Sequence, residues 1–225
     1  MKPILVVDCY VDGDGSVNFR RLMGARPIVV WRPVDVHHVP ELENYAAMMI
    51  SGSAACVTDP LPWMHPLGES IRNARDEDVP VLGICFGHQI VAHALFGADS
   101  VRKAKVPEIG WKQINITAPD PLFQGEGPQF TTFESHFDEV RPGIEGMHVL
   151  AHSTDCAVQA FRADGARAWG VQFHAEMSQK EAEELAVIRI GGRPDLGLDI
   201  EGTLAASKDS SALARRLINN FLSVQ

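Results

Sequence analysis

The sequence contains no apolar run of about 18 residues or more, so no stretch reads as a membrane-spanning helix. It also lacks a surplus of basic charge. Lys and Arg number 20 against 29 Asp and Glu, a formal net charge of −9, which argues against nucleic acid or an anionic membrane as partner. The four cysteines, Cys9, Cys56, Cys85 and Cys156, form no C-x-x-C pair and show no metal-ligand spacing. No metal centre and no cofactor are expected. There is no P-loop or other nucleotide motif, no internal repeat and no linker. The opening Met1-Lys2-Pro3-Ile4-Leu5-Val6-Val7-Asp8 is too short and too soon interrupted by acid to be a signal peptide. These absences point to a cytoplasmic protein with free thiols. A length of 225 residues, 45% of them hydrophobic, suits one α/β domain or two small ones, and without a linker the expectation is one domain spanning residues 1–225.

The first half alternates strand and helix patterns. Ile4–Val7, Pro27–Trp31 and Ala46–Ile50 are short continuous apolar runs, as strands covered on both faces require. Asp12-Gly13-Asp14-Gly15 hints at a calcium loop, but the later ligands and the bidentate Glu are missing. It is read as a loop, with Ser16 or Asn18 capping a helix through Leu22. Leu67, Ile71 and Ala74 share a helical face. The alternation implies a parallel sheet with helices on both sides. Beyond residue 100 the pattern turns β-rich: 101–106, 111–117, 129–133, 147–151, 157–161 and 168–173 are strand candidates, partly antiparallel. Ser178-Gln179-Lys180-Glu181 reads as a capping box opening a helix to about Ile190. Residues 191–202 read as a loop, and Leu213, Leu217 and Phe221 mark one face of a final helix.

The chain is organised around Gly83-Ile84-Cys85-Phe86-Gly87-His88-Gln89. An apolar run leads in and a helical pattern leads out, so Cys85 stands at the apex of a strand-to-helix turn, a nucleophile elbow. Glycines on both sides permit a tight backbone. The apex thiol meets the positive end of the helix dipole. A cysteine nucleophile needs a base, and the base an orienting group. Gly170-Val171-Gln172-Phe173-His174-Ala175-Glu176 offers both. In extended geometry His174 and Glu176 point to one side of a strand end. His136 is set aside as base because, unlike His174, it has no strand-end carboxylate two residues on. His88, His93, His37 and His38 read as turn, helix-face and loop residues.

Gly83-x-Cys85-x-Gly87-x-Gln89 together with Gln172-Phe173-His174-x-Glu176 resembles the class I (triad) glutamine amidotransferase family over nearly the whole chain. The nearest branch in flavour is the guanylate-synthetase-like one, which includes free-standing γ-glutamyl peptidases. The resemblance implies a flavodoxin-like α/β fold: a central mixed, mainly parallel sheet flanked by helices, with a smaller antiparallel β element. It implies Cys85 as nucleophile, His174 as base and then acid, and Glu176 as its orienting group. Gly52, in Ser51-Gly52-Ser53, and Phe86 would supply the oxyanion N–H donors. Gln89, with Ser135 and His136 of a Ser-His-x-Asp segment, would line the glutamine pocket. Two departures stand out: Ala175 replaces the usual proline, and Ser-Gly-Ser replaces Gly-Gly-Pro, which affects the pocket rim. Glu108-Ile109-Gly110-Trp111 matches a structural segment, with Trp111 packing.

The implied substrate is glutamine or a γ-glutamyl compound, and the implied partner is a synthetase that consumes the ammonia. The alternatives are a stand-alone γ-glutamyl peptidase, a cysteine-elbow α/β-hydrolase resembling dienelactone hydrolase, and a non-catalytic binding protein. In the α/β-hydrolase the acid precedes the histidine on a separate loop, whereas Glu176 follows His174.

Overall fold

The computed structural model describes residues 2–36 and 38–224; His37 lies outside them. Nine strands form one sheet in the order β2-β1-β3-β4-β9-β8-β7-β5-β6. The parallel half comprises β1 (Ile4–Val7), β2 (Ile28–Trp31), β3 (Ala47–Ile50), β4 (Val81–Ile84) and β9 (Ala168–Val171). The antiparallel half comprises β5 (Val101–Ile116), β6 (Gln129–Val140), β7 (Met147–His152) and β8 (Ala160–Ala163). The antiparallel strands continue the parallel sheet rather than standing apart from it.

The apolar strands are buried because both sheet faces are covered. Side chains alternate across the sheet. Leu5, Val7, Met48 and Ile50 enter one core with α2 (Met64–Asp76) and α3 (Phe86–Phe96). Ile4, Val6, Ala47 and Met49 enter the other, packed by α1 (Ser16–Met23) and α6 (Ser211–Ser223). The expected faces hold: Leu67, Ile71 and Ala74 are buried on α2, and Leu213, Leu217 and Phe221 on α6.

Several local expectations change. Neither Ser16 nor Asn18 caps α1. Gly15 is the N-cap, while Asp14 accepts from the Ser16 amide at 2.9 Å and its hydroxyl at 2.6 Å. The acid precedes the helix, so its side chain satisfies the first-turn donor. The candidate strands 101–106 and 111–117 are one strand, β5. A shift in its register on β6 between Lys103 and Glu108 interrupts the apolar pattern without breaking the strand. The 191–202 loop already contains the start of α5 (Ile200–Ala205), because the Asp199 carboxylate accepts from the Glu201 and Gly202 amides. The capping box opening α4 (Gln179–Gly191) is present as expected from Ser178 and Glu181.

The parallel strands carry the site at their C-terminal ends. Val7 leads to Asp8 and Tyr10, Ile50 to Ser51-Gly52, Ile84 to Cys85, and Val171 towards His174. Strands β2 and β3 flank β1 on opposite sides, so the chain reverses its direction of travel there. Such a switch point opens a crevice at the strand ends.

Gly83 and Gly87 make the elbow possible. A Cβ on Gly83 would stand 2.2 Å from the Gly87 carbonyl oxygen, and one on Gly87 would stand 2.5 Å from the Ile50 carbonyl oxygen. Both obstacles are backbone, so neither can turn aside. Gly83→Ala is expected to cost about 1–3 kcal/mol by urea denaturation. Gly191→Ala, where the added methyl meets nothing within 4 Å, is expected to be neutral or slightly stabilising.

Candidate active site

Cys85 has φ 53° and ψ −103°, a conformation that costs a non-glycine residue about 1–3 kcal/mol. The preceding strand and following helix enforce it. Cys85 N–H donates to the Val171 carbonyl at 2.8 Å, and its carbonyl accepts from Gln89 N–H at 3.1 Å. The side chain is buried, with Sγ 3.8 Å from the Ser135 carbonyl oxygen. Phe86 begins α3, so its N–H belongs to the unsatisfied first turn of a helix.

His174 arrives by a different route from the extended strand expected. Strand β9 ends at Val171, and the chain bends through Gln172 and Phe173. A single antiparallel bridge to Phe133 then fixes His174, whose N–H donates to the Phe133 carbonyl at 2.8 Å. The two side chains still meet: His174 Nδ1 lies 2.7 Å from Glu176 Oε1. The carboxylate can only accept while ionised, so Nδ1 carries the proton and Nε2 is left for another partner. Ala175 is buried and keeps the spacing. Burial works against a charged ring, but Glu176 and then the neighbouring Cys85 outweigh it and hold the His174 pKa well above the ordinary value.

Gly52 fits closely between these two residues. A Cβ there would stand 2.8 Å from His174 Cε1 and 3.8 Å from Cys85 Cβ. Ser51 fixes this turn by accepting from Cys9 N–H at 2.9 Å and donating to the Gly52 carbonyl at 2.8 Å. A small cavity of about 30 Å³ opens beside Cys85, and Gln89, Ser135, His136 and Arg189 line it. The structure therefore brings all eight expected site residues to one end of the sheet.

Their bonding differentiates them. Gln89 Nε2 donates to the Asp138 carbonyl at 2.8 Å and to Gln172 Oε1 at 3.0 Å, so both amide hydrogens are engaged. Its oxygen is the group left for a ligand. Ser135 Oγ is buried and has no partner among the described residues. Both ring nitrogens of His136 are taken, by the Asp138 carbonyl at 2.9 Å and by Glu108 Oε2 at 3.0 Å. Asp138 does stand two residues after His136, but inside β6, and its carboxylate accepts from Thr58 at 2.9–3.0 Å. Glu108 also accepts from Ser153 at 2.7 Å and Gln159 at 2.7 Å. His136 is thus locked in place and is no free base. Trp111 packs on Phe133 as expected, centroids 5.0 Å apart. His88 is buried against Phe161, and burial pushes its pKa down to about 3.

Some contributors were invisible in the sequence. Arg21 Nη2 donates to the Glu176 carbonyl at 2.8 Å across 155 residues. Tyr10 lies close enough to Glu176 and Cys85 to feel their charge. Arg189 reaches the cavity from the last turn of α4. Only Gln172, inside the quoted Gln-Phe-His-x-Glu run, had a local signal.

Beside this site, burial and then the neighbouring Glu108 carboxylate push the Glu134 carboxyl well above the ordinary carboxylate range. The folded state therefore holds a proton that the unfolded chain releases, and stability falls as pH climbs from the ordinary value into the raised one. Glu134→Gln is expected to remove that slope. Its thermal midpoint at pH 8 should match or exceed that of the parent, with the gap narrowing towards pH 5 in paired melting scans.

The sequence from residue 5 to residue 188 matches the family described as "Glutamine amidotransferase class-I". The glutamine-hydrolysing GMP synthase of Saccharolobus solfataricus has a subunit 38% identical over 143 residues, covering 64% of this chain and 73% of that one. The crystal structure of a glutamine amidotransferase from Methylobacillus flagellatus superposes with a TM-score of 0.81, over 99% of this chain and 93% of that one, at 23% identity. One from Thermotoga maritima gives 0.80, over 99% and 97%, at 18% identity. At those identities the two structures speak to the α/β fold, and the sequence match to the lineage. With the elbow at Cys85 and the partners grouped around it, the chain belongs to the class I glutamine amidotransferase family.

Proposed function

We propose that the protein hydrolyses the side-chain amide of glutamine through a Cys85–His174–Glu176 triad and passes the ammonia to a synthetase subunit. The observation that carries this is the juxtaposition at the strand ends. His174 is held by Glu176 at 2.7 Å on one side and influenced by Cys85 on the other.

In the first step the Cys85 sulfur attacks the γ-carbonyl of glutamine while His174 holds the proton taken from the thiol. The carbonyl oxygen becomes an oxyanion, received by the N–H groups of Gly52 and Phe86. Each such donor is worth about 2.7–4 kcal/mol of barrier. The C–N bond then breaks, His174 gives its proton to the departing nitrogen, and ammonia leaves a γ-glutamyl thioester on Cys85. In the second step His174 takes a proton from water, the hydroxide attacks the thioester, and the C–S bond breaks. The proton returns to the sulfur side and glutamate leaves. Glu176 keeps Nε2 aimed at the reaction by fixing the opposite ring nitrogen. The relative from Saccharolobus solfataricus is named as one subunit of a glutamine-hydrolysing GMP synthase. That name supports a separate synthetase chain as the consumer of the ammonia.

Cys85→Ala is expected to lower ammonia release from glutamine by at least about 10³-fold, in a purified-protein assay run beside γ-glutamyl dipeptides. Full activity in that variant would defeat the proposal. Turnover of the dipeptides far above glutamine, with no partner added, would redirect it to a γ-glutamyl peptidase.

The raised His174 pKa sets the pH dependence. The imidazolium persists through neutral pH and is lost as pH rises through the raised value, so the alkaline side of the rate profile should lie above neutrality. In Glu176→Gln the carboxylate that raises the pKa is gone, and this alkaline limb should move to lower pH. The maximal rate should fall by about 10²- to 10⁴-fold.

A further inference from the structure

Arg189 is a cation with no ion-pair partner among the described residues, and it stands beside Cys85. It stands in the last turn of α4 and lines the cavity with Cys85, Gln89, Ser135 and Asp138. Its Nε is buried and has no hydrogen-bond partner among the described residues. The neighbouring cations are spoken for. Lys103 lies 2.8 Å from Asp59 and 3.4 Å from Asp138. Arg193 lies 2.7 Å from Asp195 and over the Phe137 ring. The Asp138 carboxylate also accepts from the Thr58 amide and hydroxyl, so the acid lining the cavity is already engaged.

The C-terminal end of α4 offers partial negative charge and makes the position tolerable for a cation. It does not supply acceptors in the plane of a guanidinium, which presents five donors in a fixed fork. Leaving a buried Nε–H unpaired is unfavourable unless a ligand completes it. The group that fits this fork is a carboxylate, held by two parallel N–H···O bonds. Gln89 cannot donate to such a carboxylate in place of Arg189, because both hydrogens of its amide are already donated.

We propose that Arg189 is a specificity-determining residue whose guanidinium holds a carboxylate of the substrate in the Cys85 cavity and thereby presents the γ-carbonyl to the thiol. The inference rests on the glutaminase reading and adds a substrate requirement to it. The carboxylate has two sources: the α-carboxylate of the glutamyl unit, or that of a leaving amino acid in a γ-glutamyl peptide.

The test is calorimetric binding in the Cys85→Ala background, which does not turn over. Ligands are glutamine, γ-glutamylmethylamide, γ-glutamylglycine and 4-aminobutanamide, the last being glutamine without its α-carboxylate. Replacing Arg189 by Gln should weaken the binding of a carboxylate-bearing ligand by about tenfold or more, and replacing it by Lys should weaken it less. Circular dichroism confirms the fold of each variant. Equal losses for glutamine, the methylamide and γ-glutamylglycine assign the α-carboxylate. A loss confined to γ-glutamylglycine assigns the leaving group. 4-Aminobutanamide should bind the parent weakly or not at all and be indifferent to Arg189→Gln. Unchanged affinity for every ligand overturns the proposal. So does a loss shared in full by 4-aminobutanamide, which would reveal a packing role, and so does absence of binding by the parent. If the parent binds glutamine and the unmutated protein fails to hydrolyse it, the glutaminase reading falls while the Arg189 assignment stands.

Discussion

Everything at the active end of this molecule depends on how closely three pieces of backbone approach one another: the end of β3, the end of β4 and the first turn of α3. Gly83 and Gly87 have no side chain because the Gly87 and Ile50 carbonyls occupy that space. This approach forces Cys85 to φ 53°. The strain is sustained because the strand before it is paired on both sides, with β3 and β9, and the helix after it is buried over most of its length. Local strain of about 1–3 kcal/mol is small against the burial of Ile84, Phe86, Ile90 and Val91. The thiol is thus presented by the core itself.

Two buried histidines show how environment divides the work. His174 faces Glu176 through one nitrogen and leaves the other towards the thiol. His136 spends both nitrogens on the Asp138 carbonyl and Glu108. The first can exchange a proton with a substrate. The second anchors β6, keeping the Ser135 carbonyl against Cys85. Similar side chains in one crevice are separated by whether a ring nitrogen is left free, which is a matter of partners rather than of residue type.

The sheet explains how residues so distant in the chain converge. The parallel half delivers Gly52, Cys85 and the approach to His174 at adjacent strand ends. Strand β6 is the far edge of the same sheet, yet it returns to touch this end, through the Phe133–His174 bridge and the Gln89–Asp138 bond. The sheet must curl for its last strand to reach the end of β9. The register shift in β5 and Gly110, at φ 105°, lie on the strand that makes this bend.

Much of this was legible in the sequence, for a physical reason. The apolar runs of β1 and β3, the face of α2, the Ser178–Glu181 box and the glycines around Cys85 are short-range patterns, and short-range sterics and burial set them. So is the His174-x-Glu176 spacing, which brings the pair together even though the chain bends where a strand was expected. What the sequence did not contain were the partners chosen across long distances. That Arg21 grips the Glu176 carbonyl, that His136 is tied to Glu108, that Gln89 gives away both of its amide hydrogens, and that Arg189 reaches the cavity with its Nε unpartnered among the described residues all follow from sheet curl and helix placement. Those are set by packing summed over the whole chain. The sequence by itself determined the Cys85 turn and the His174–Glu176 spacing that faces it. Only the tertiary structure decided which neighbouring groups are already satisfied and which are left to meet a ligand, because a hydrogen bond made elsewhere leaves no trace in local spacing.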